Sequence, residues 1–262
     1  MLNRIIALLF LLYIGVSSLI LFAVALIIWA VTRWFDARLV VLHLFSSFWA
    51  SHYLWLMPAW KIEHAGKQNI DWKRTYVVVS NHQSALDILL AFSLFFPFKW
   101  VSKIEVFRVP LIGWNMQLNR YVKLKRGDKD SIREMMLVAE QRLEEGSSIY
   151  LFPEGTRSPS GVMKSFKPGA FILAKKLQLP ILPIAINGTK NSLPKHSLNF
   201  HGHHTCRIEV LPAIEPESFA EQSVESLTQS VRQLIAGKVD EHIGRDQATQ
   251  GNSLNSCQTT TN

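Results

Sequence analysis

One stretch, residues 76–87, decides how this chain folds, and it reads YVVVSNHQSALD. Its apolar first third, Tyr76 to Val79, predicts a buried strand, and the apolar run that begins at Leu86 predicts a helix. A strand that leads through a short turn into a helix is the repeating unit of α/β domains. The stretch therefore predicts an α/β fold, with His82 in the turn and Asp87 in the first turn of the helix.

The spacing of His82 and Asp87 allows two interpretations. Five residues of ideal helix turn through about 500°, which would leave the two side chains about 140° apart. They can meet only if His82 lies before the helix, where the pair suits a general base and the carboxylate that orients it. In the other interpretation Ser84 and Asp87 form a capping box, and His82 is a buried histidine bonded to the backbone. The local sequence leaves both interpretations open.

Composition restricts the class of protein. The chain has 262 residues, enough for one large domain with appendages, and it combines 48% hydrophobic residues with a net charge of +8. That combination favours a membrane-attached protein that faces anionic lipid or an anionic substrate. Nucleic acid is not an expected partner, because the sequence has no zinc-finger spacing, basic helix or RNA-binding signature. The two cysteines, Cys206 and Cys257, indicate a reducing compartment and predict no disulfide framework.

Two long uncharged runs open the chain. The first, Ile5 to Val31, would reach about 40 Å as a helix, enough to cross a hydrocarbon core of about 30 Å. We interpret it as a retained membrane helix, because it is too long for the apolar region of a signal peptide. The second run, Leu39 to Trp60, carries a polar stripe at helical spacing, which fits either an interfacial helix or a second span whose stripe packs inward. The stripe consists of His43, Ser46, Ser47 and Ser51.

From Lys61 onward, short apolar strands alternate with helices, which predicts a mixed, largely parallel sheet flanked by helices. The predicted strands are Tyr76–Ser80, Lys99–Ser102, Tyr121–Leu124, Ser148–Phe152, Ile181–Ile186 and Cys206–Leu211. The predicted helices are Leu86–Leu94, Asp130–Glu145, Ala170–Leu177 and Val224–Val239. We therefore divide the chain into N-terminal membrane-anchoring helices (1–60), an α/β domain (61–243) and a disordered tail (244–262).

Two further stretches can carry chemistry. The sequence FPEGTRS (152–158) forces a sharp exit from a buried strand and places Glu154 and Arg157 at its carboxyl end, where open α/β sheets bind ligands. The alternative is an ordinary turn in which Glu154 and Arg157 pair with each other. Residues 103–126 contribute a group of cations, for which a solvated basic face is the alternative. Among them Arg126 ends an apolar run, where a cation is costly unless an anion meets it.

Two other features receive a structural interpretation. Pro180 and Pro183 bracket a buried strand, which suits an edge or entry position in the sheet. His201, His203 and His204 form a cluster with no partner carboxylate or cysteine, so no metal site is expected there.

Taken together, these stretches resemble the glycerolipid acyltransferase family, specifically the bacterial 1-acyl-glycerol-3-phosphate acyltransferases. The NHxxxxD motif of that family matches Asn81, His82 and Asp87, and its FPEGTRS motif is present in full at residues 152–158. Its second motif matches Lys103, Glu105, Pro110, Gly113 and Arg126, and its fourth matches Pro180 to Ile184. The four motifs follow the family's order over about residues 75–186. In one departure, Lys125 stands where the family pattern has an aspartate, which leaves the acceptor headgroup open.

The resemblance implies a membrane-bound O-acyltransferase that moves a fatty acyl group from a thioester to the sn-2 hydroxyl of lysophosphatidate, giving phosphatidate for phospholipid synthesis. It implies His82 as the general base and Asp87 as the residue that orients it, with no metal and no cofactor. Roles in substrate binding are implied for Lys103, Arg126, Glu154, Gly155, Thr156 and Arg157.

The implied partners are a lysophospholipid, membrane lipid and an acyl thioester, carried by either coenzyme A or acyl carrier protein. The implied location is a membrane, the inner membrane of a bacterium, with the catalytic domain on the cytoplasmic side. Three alternatives stay open: a different lyso-lipid acceptor, a thioesterase that uses the same His–Asp pair with water, and a catalytically silent anion-binding protein.

Overall fold

The computed structural model describes residues 2–158, 162–192 and 204–239. Seven strands form one sheet: β1 (Trp60–Ala65), β2 (Val77–Ser80), β3 (Phe98–Lys103), β4 (Val122–Leu124), β5 (Ser148–Leu151), β6 (Ile181–Asn187) and β7 (His204–Val210). Their order is β1-β7-β6-β2-β5-β3-β4. Every neighbouring pair is parallel except β6 and β7, which confirms the predicted mixed, largely parallel sheet.

Helices cover both faces of the sheet. They are α1 (Leu2–Thr32), α2 (Val40–Trp55), α3 (Leu86–Phe92), α4 (Ile112–Leu118), α5 (Lys129–Glu144), α6 (Gly169–Leu177), α7 (Thr189–Ser192), α8 (Pro216–Phe219) and α9 (residues 224–239). Strand β2 lies between two cores, because Val77 and Val79 pack toward α5, α6 and α9 while Val78 packs toward α2, α3 and α4. A strand buried on both faces reads as a continuous apolar run, which is why β2 is visible in the sequence.

Helix α1 contains a stretch, Leu8–Thr32, that is long and apolar enough to cross a membrane by length and composition. Most of its side chains are exposed, and the helix packs against α2. This matches the predicted first helix.

Helix α2 is shorter than the uncharged run that predicted it. It has 16 residues, fewer than the roughly 20 that a membrane span requires, and the chain enters β1 at Trp60. The polar stripe packs inward, onto the α/β domain, while the predicted relation of this helix to a membrane, in one leaflet or as a second span, stays a prediction. All four stripe residues are buried: His43, Ser46, Ser47 and Ser51.

The stripe makes specific contacts with the domain. His43 Nδ1 lies 2.9 Å from the Tyr121 hydroxyl, and its Nε2 lies 3.0 Å from the carbonyl oxygen of Phe96. Burial, reinforced by Lys99, lowers the pKa of His43 to about 3, so the imidazole is neutral at pH 7. Ser46 Oγ accepts hydrogen bonds from the amides of Asn115 and Asn119. These bonds fix α2 against α4 and the sheet.

The position of β6 decides between the two positions that its prolines suit. The edge alternative is wrong, because β6 lies between β7 and β2 and is buried along its whole length, whereas Pro180 directly precedes the strand, at its entry. The carbonyl of Pro183 accepts the N–H of Leu211 at 2.9 Å, so its nitrogen also faces the β7 side. The regular pairing with β7 begins at the next residue, Ile184, so the proline lies at the end of this ladder.

Two sequence predictions fall outside the described residues. The tail 244–262 is one, and the histidine cluster is the other, since His201 and His203 are not described. His204 is described, and it begins β7.

Candidate active site

The turn after β2 is fixed by an asparagine side chain. Asn81 Nδ2 donates to the carbonyl oxygen of Ile186 at 2.8 Å, and the N–H of Ile186 donates to Asn81 Oδ1 at 2.8 Å. The side chain thus continues the pairing of β2 with β6 after β2 itself has ended. It holds the turn that carries His82 at the carboxyl edge of the sheet.

His82 and Asp87 contact each other across this turn. Asp87 Oδ2 lies 2.8 Å from His82 Nδ1, and it also accepts the N–H groups of Gln83 and Ser84 at 2.6 and 2.8 Å. An ionised carboxylate only accepts, so Nδ1 carries the proton and Nε2 is left as the basic nitrogen. The capping interpretation also holds in part, because Ser84 Oγ accepts the N–H of Leu86 at 3.3 Å. The two interpretations of the sequence are therefore compatible.

The loop with the sequence FPEGTRS holds the backbone and the ring of His82. Glu154 Oε1 accepts the His82 N–H at 2.7 Å, and the N–H of Ser158 donates to the His82 carbonyl at 2.9 Å. The Phe152 ring stacks on the imidazole, with the ring centres 3.9 Å apart and the planes 14° from parallel. Together with the Asp87 contact, these bonds fix the imidazole in one orientation.

Glu154 is buried and lies behind the turn. Its side chain accepts two backbone N–H groups, that of His82 through Oε1 and that of Lys164 through Oε2 at 2.9 Å. Burial raises the pKa of the Glu154 carboxyl, and the two N–H bonds oppose this rise. Its oxygens are thus occupied by backbone groups and not by Arg157, unlike in the alternative interpretation of this loop.

The loop turns sharply at Pro153 and Gly155. The N–H of Gly155 donates to the carbonyl of Phe152 at 2.9 Å, with proline second and glycine last in this four-residue turn. Gly155 has a φ of +71°, a conformation that glycine adopts without strain. Thr156, next in the chain, is exposed.

A cavity of about 440 Å³ opens beside the imidazole of His82. One part of its wall is apolar and comes from α2, α3, α4 and β3. The side chains there include Trp49, Ala50, Tyr53, Ile88, Leu89, Phe92, Trp100, Val101, Ile112 and Met116. The other part is cationic and consists of Lys103, Arg126 and Arg157.

The three cations come from the carboxyl ends of neighbouring strands β3, β4 and β5. Lys103 pairs with Glu105 at 3.1 Å. Arg126 and Arg157 have no carboxylate within ion-pair distance in the described part of the chain. Burial lowers the pKa of Arg126; Glu105 opposes this, and the nearby Arg157 adds to it. Guanidinium groups pair well with planar anions such as phosphate and carboxylate, which is the chemistry that these two side chains offer to the cavity.

The sequence-predicted residues therefore divide into two groups. His82 and Asp87 are in contact, and Lys103, Arg126 and Arg157 line the same cavity as His82. Glu154, Gly155 and Thr156 are not among the residues that line it. Their predicted roles in substrate binding, like those of the three cations, stay predictions.

Sequence reasoning missed the walls of the cavity. Helix α2 contributes residues at positions 46, 49, 50 and 53, and this spacing of three, four and seven marks one helix face. The sequence shows that spacing, but it does not show which element this helix face contacts. The stacking of Phe152 on His82 has no local sequence signal, because the two residues are seventy positions apart.

Comparison with known proteins gives a consistent result. A family model described as Acyltransferase matches residues 61–187. The 1-acyl-sn-glycerol-3-phosphate acyltransferase of Chlamydomonas reinhardtii is 34% identical over 235 residues, covering 88% of this chain and 70% of that protein. The chloroplastic enzyme of the same name from Arabidopsis thaliana is 39% identical over 167 residues, covering 63% of this chain.

The chain spans less than half of two of these relatives, 46% of the Arabidopsis protein and 48% of its Brassica napus counterpart. Among solved structures, the crystal structure of the 1-acyl-sn-glycerophosphate (LPA) acyltransferase from Thermotoga maritima superimposes with a TM-score of 0.76. The sequence identity is 26%, and the match covers 91% of this chain and 97% of that one.

Proposed function

The chain belongs to the acyltransferase family that includes the 1-acyl-sn-glycerol-3-phosphate acyltransferases, and we propose that it transfers a fatty acyl group from a thioester to the sn-2 hydroxyl of lysophosphatidate. The observation that carries the proposal is the position of the His82–Asp87 pair. His82, held by Asp87, lies in the wall of a cavity that is cationic on one side and apolar on the other. An acceptor with a phosphate, a hydroxyl and an acyl chain matches these three surfaces.

In the proposed reaction the acceptor hydroxyl is the nucleophile. His82 Nε2 takes its proton while the oxygen attacks the thioester carbonyl, and the C–S bond then breaks as the tetrahedral intermediate collapses. The imidazolium returns the proton to the departing thiolate. Asp87 keeps the proton of the resting imidazole on Nδ1 and stabilises the imidazolium. No covalent acyl-enzyme is required, so the site needs no serine or cysteine nucleophile.

The cations would bind the phosphate of the acceptor. Arg126 and Arg157 reach the cavity without carboxylate partners in the part of the chain that is described, so their charge is available to an anion. Lys103, paired with Glu105, would contribute less. The apolar wall formed by α2, α3 and α4 would hold an acyl chain.

We further propose that the protein acts at a membrane, with helix α1 as the anchor. Both the acceptor and the product would be lipids, and moving a long acyl chain into water would cost roughly 10 kcal/mol at about 0.8 kcal/mol per methylene. A cavity reached from the headgroup level avoids that cost. Sedimentation with membranes tests this point, because a variant lacking residues 1–31 should lose most of its association. Equal sedimentation of the two proteins would contradict the role of α1.

The activity is tested by presenting the purified protein with acyl-CoA or acyl carrier protein thioesters and a panel of lyso-lipid acceptors. We expect thiol release that depends on lysophosphatidate and produces phosphatidate in equal amount. Thiol release without any acceptor would favour the thioesterase alternative. Preference for another lyso-lipid would show that the proposed acceptor is wrong and that the proposed reaction class is right.

A further inference from the structure

One buried acid next to the catalytic pair has no step in the proposed reaction. Glu154 is only 5% exposed, and it is not among the residues that line the cavity. Its two oxygens accept the N–H groups of His82 and Lys164 at 2.7 and 2.9 Å. A glutamine here would offer only one acceptor for these two N–H groups, and the remaining question is what the negative charge of the carboxylate does beside His82.

The bonds of Glu154 fix the segment that carries the imidazole. With Ser158 donating to the carbonyl of His82, both polar groups of the His82 backbone are bonded to the FPEGTRS loop. The hydrogen bond from the Lys164 N–H connects the same carboxylate to a third segment of the chain. Displacement of this carboxylate would therefore move the ring relative to the cavity, and reacting groups tolerate little misplacement.

The charge of Glu154 has a second consequence. The carboxylate lies close enough to both His82 and Asp87 to interact electrostatically with each of them. Burial in a low-dielectric site strengthens such interactions, and an imidazolium gains from a negative charge on either side. His82 is thus flanked by two carboxylates, one at its ring and one at its backbone.

We propose that Glu154 is a positioning residue, which fixes the backbone of His82 and whose negative charge stabilises the imidazolium form of that residue during acyl transfer. The proton taken from the acceptor hydroxyl stays on the imidazole until the thiolate leaves, and Glu154 neither gains nor loses one. The catalytic consequence rests on the proposed function, whereas the effect on the titration of the imidazole does not. The alternative is the role in substrate binding that the sequence motif implies.

The test is an NMR titration of the His82 imidazole in protein labelled with ¹³Cε1-histidine, with His82→Ala to assign the resonance. Glu154→Gln keeps the size of the side chain and one acceptor but removes the charge. We expect the titration midpoint of His82 to move to lower pH by about 0.5 to 1 unit. Glu217→Gln, which removes an exposed acid on α8, should leave the midpoint in place.

Glu154→Asp separates charge from position. It keeps the charge but draws the carboxylate back by one methylene, so the midpoint of His82 should stay within about 0.3 unit of wild type while kcat falls. Glu154→Asp also tests the proposal if Glu154→Gln does not fold. An unchanged midpoint in Glu154→Gln, or a midpoint in Glu154→Asp that moves to lower pH by half a unit or more, would overturn the proposal.

Steady-state kinetics distinguish positioning from substrate binding. In Glu154→Gln we expect kcat to fall by about 10- to 100-fold and KM for lysophosphatidate to change by less than about threefold. A raised KM with unchanged kcat would assign Glu154 to the acceptor and overturn the proposal. If wild type shows no lysophosphatidate-dependent transfer, the proposed function fails, and the NMR titration still decides the role of Glu154.

Discussion

The Nδ1 atom of His82 lies 2.8 Å from Oδ2 of Asp87, and the same oxygen accepts two backbone N–H groups of the turn between them. One carboxylate oxygen therefore holds the turn and selects the imidazole tautomer. Because Nδ1 is bonded, Nε2 is the nitrogen that can act on a ligand in the adjoining cavity.

Replacement of Asp87 tests this arrangement directly. In Asp87→Asn the amide oxygen can still accept the two backbone N–H groups and Nδ1–H, but the negative charge that stabilises the imidazolium is lost. We expect kcat to fall by about 10² to 10⁴ while the variant stays folded. Steady-state assays and thermal unfolding measure the two effects. Activity within threefold of wild type would show that the charge of Asp87 contributes little to the reaction.

Arg126 and Arg157, which have no ion-pair partner among the described residues, predict how the acceptor binds. Arg126→Ala or Arg157→Ala should raise KM for lysophosphatidate by about 10- to 100-fold, the range expected for one charge-assisted hydrogen bond, with a smaller effect on kcat. Lys129→Ala, an exposed cation on α5, is the matched control and should keep the KM of wild type. An unchanged KM in both arginine variants would place the phosphate elsewhere.

The apolar wall of the cavity predicts a dependence on acyl chain length. Ala50 lies on α2 and lines the cavity, so Ala50→Phe adds volume where an acyl chain would lie. Transfer should fall by about tenfold or more with long-chain substrates and change little with short ones. Competition between thioesters of different length, and between lysophosphatidates of different length, measures the ratio. A uniform loss at every length would contradict an acyl site at this wall.

A buried lysine predicts a pH dependence of stability. Lys99 is 3% exposed, and its Nζ donates to the carbonyls of Arg38 and Asn119 at 2.6 and 3.0 Å, which joins the α1–α2 loop to the end of α4. Burial lowers the pKa of Lys99 to about 7, from an ordinary value near 10.5. Between these two values the unfolded chain binds more protons than the folded one, so stability rises with pH.

A comparison of wild type with Lys99→Met isolates the contribution of Lys99 to the pH dependence of stability. From pH 7 to pH 9.5 the Tm of wild type should rise relative to that of Lys99→Met by about 3 °C or more. Lys73→Met, which removes an exposed lysine, should follow wild type across the same range. A constant difference between wild type and Lys99→Met would mean that Lys99 keeps its proton in the folded state.

Buried regular elements could be predicted from the sequence, and short irregular ones could not. The six predicted strands are present with shifted ends, because each contains an apolar run. Strand β1 was missed because charged residues Lys61 and Glu63 alternate with its apolar ones and it directly follows the α2 run. Helix α4 was missed because it has seven residues and includes Gly113, where a side chain would meet the carbonyl oxygen of Phe107 at 2.4 Å.

The catalytic pair is local in sequence, and the cavity is not. His82 and Asp87 lie on one strand–turn–helix unit, so their contact follows from the turn itself. The cavity is lined by side chains from α2, α3, α4 and three strand ends. No sequence pattern within any one of these elements indicates that their side chains lie together. Glu154 illustrates the limit: its motif marks it as functional, but only the fold shows that it bonds to the His82 backbone.

The central claim, that His82 is the general base of an acyl transfer to lysophosphatidate, is tested most directly by kcat of His82→Ala. With saturating lysophosphatidate and acyl thioester, we expect kcat to fall by about 10³-fold or more, since a general base contributes about 10² to 10⁴. The Tm and the sedimentation with membranes should stay those of wild type. A folded His82→Ala protein that keeps lysophosphatidate-dependent transfer within tenfold of wild type would contradict the account.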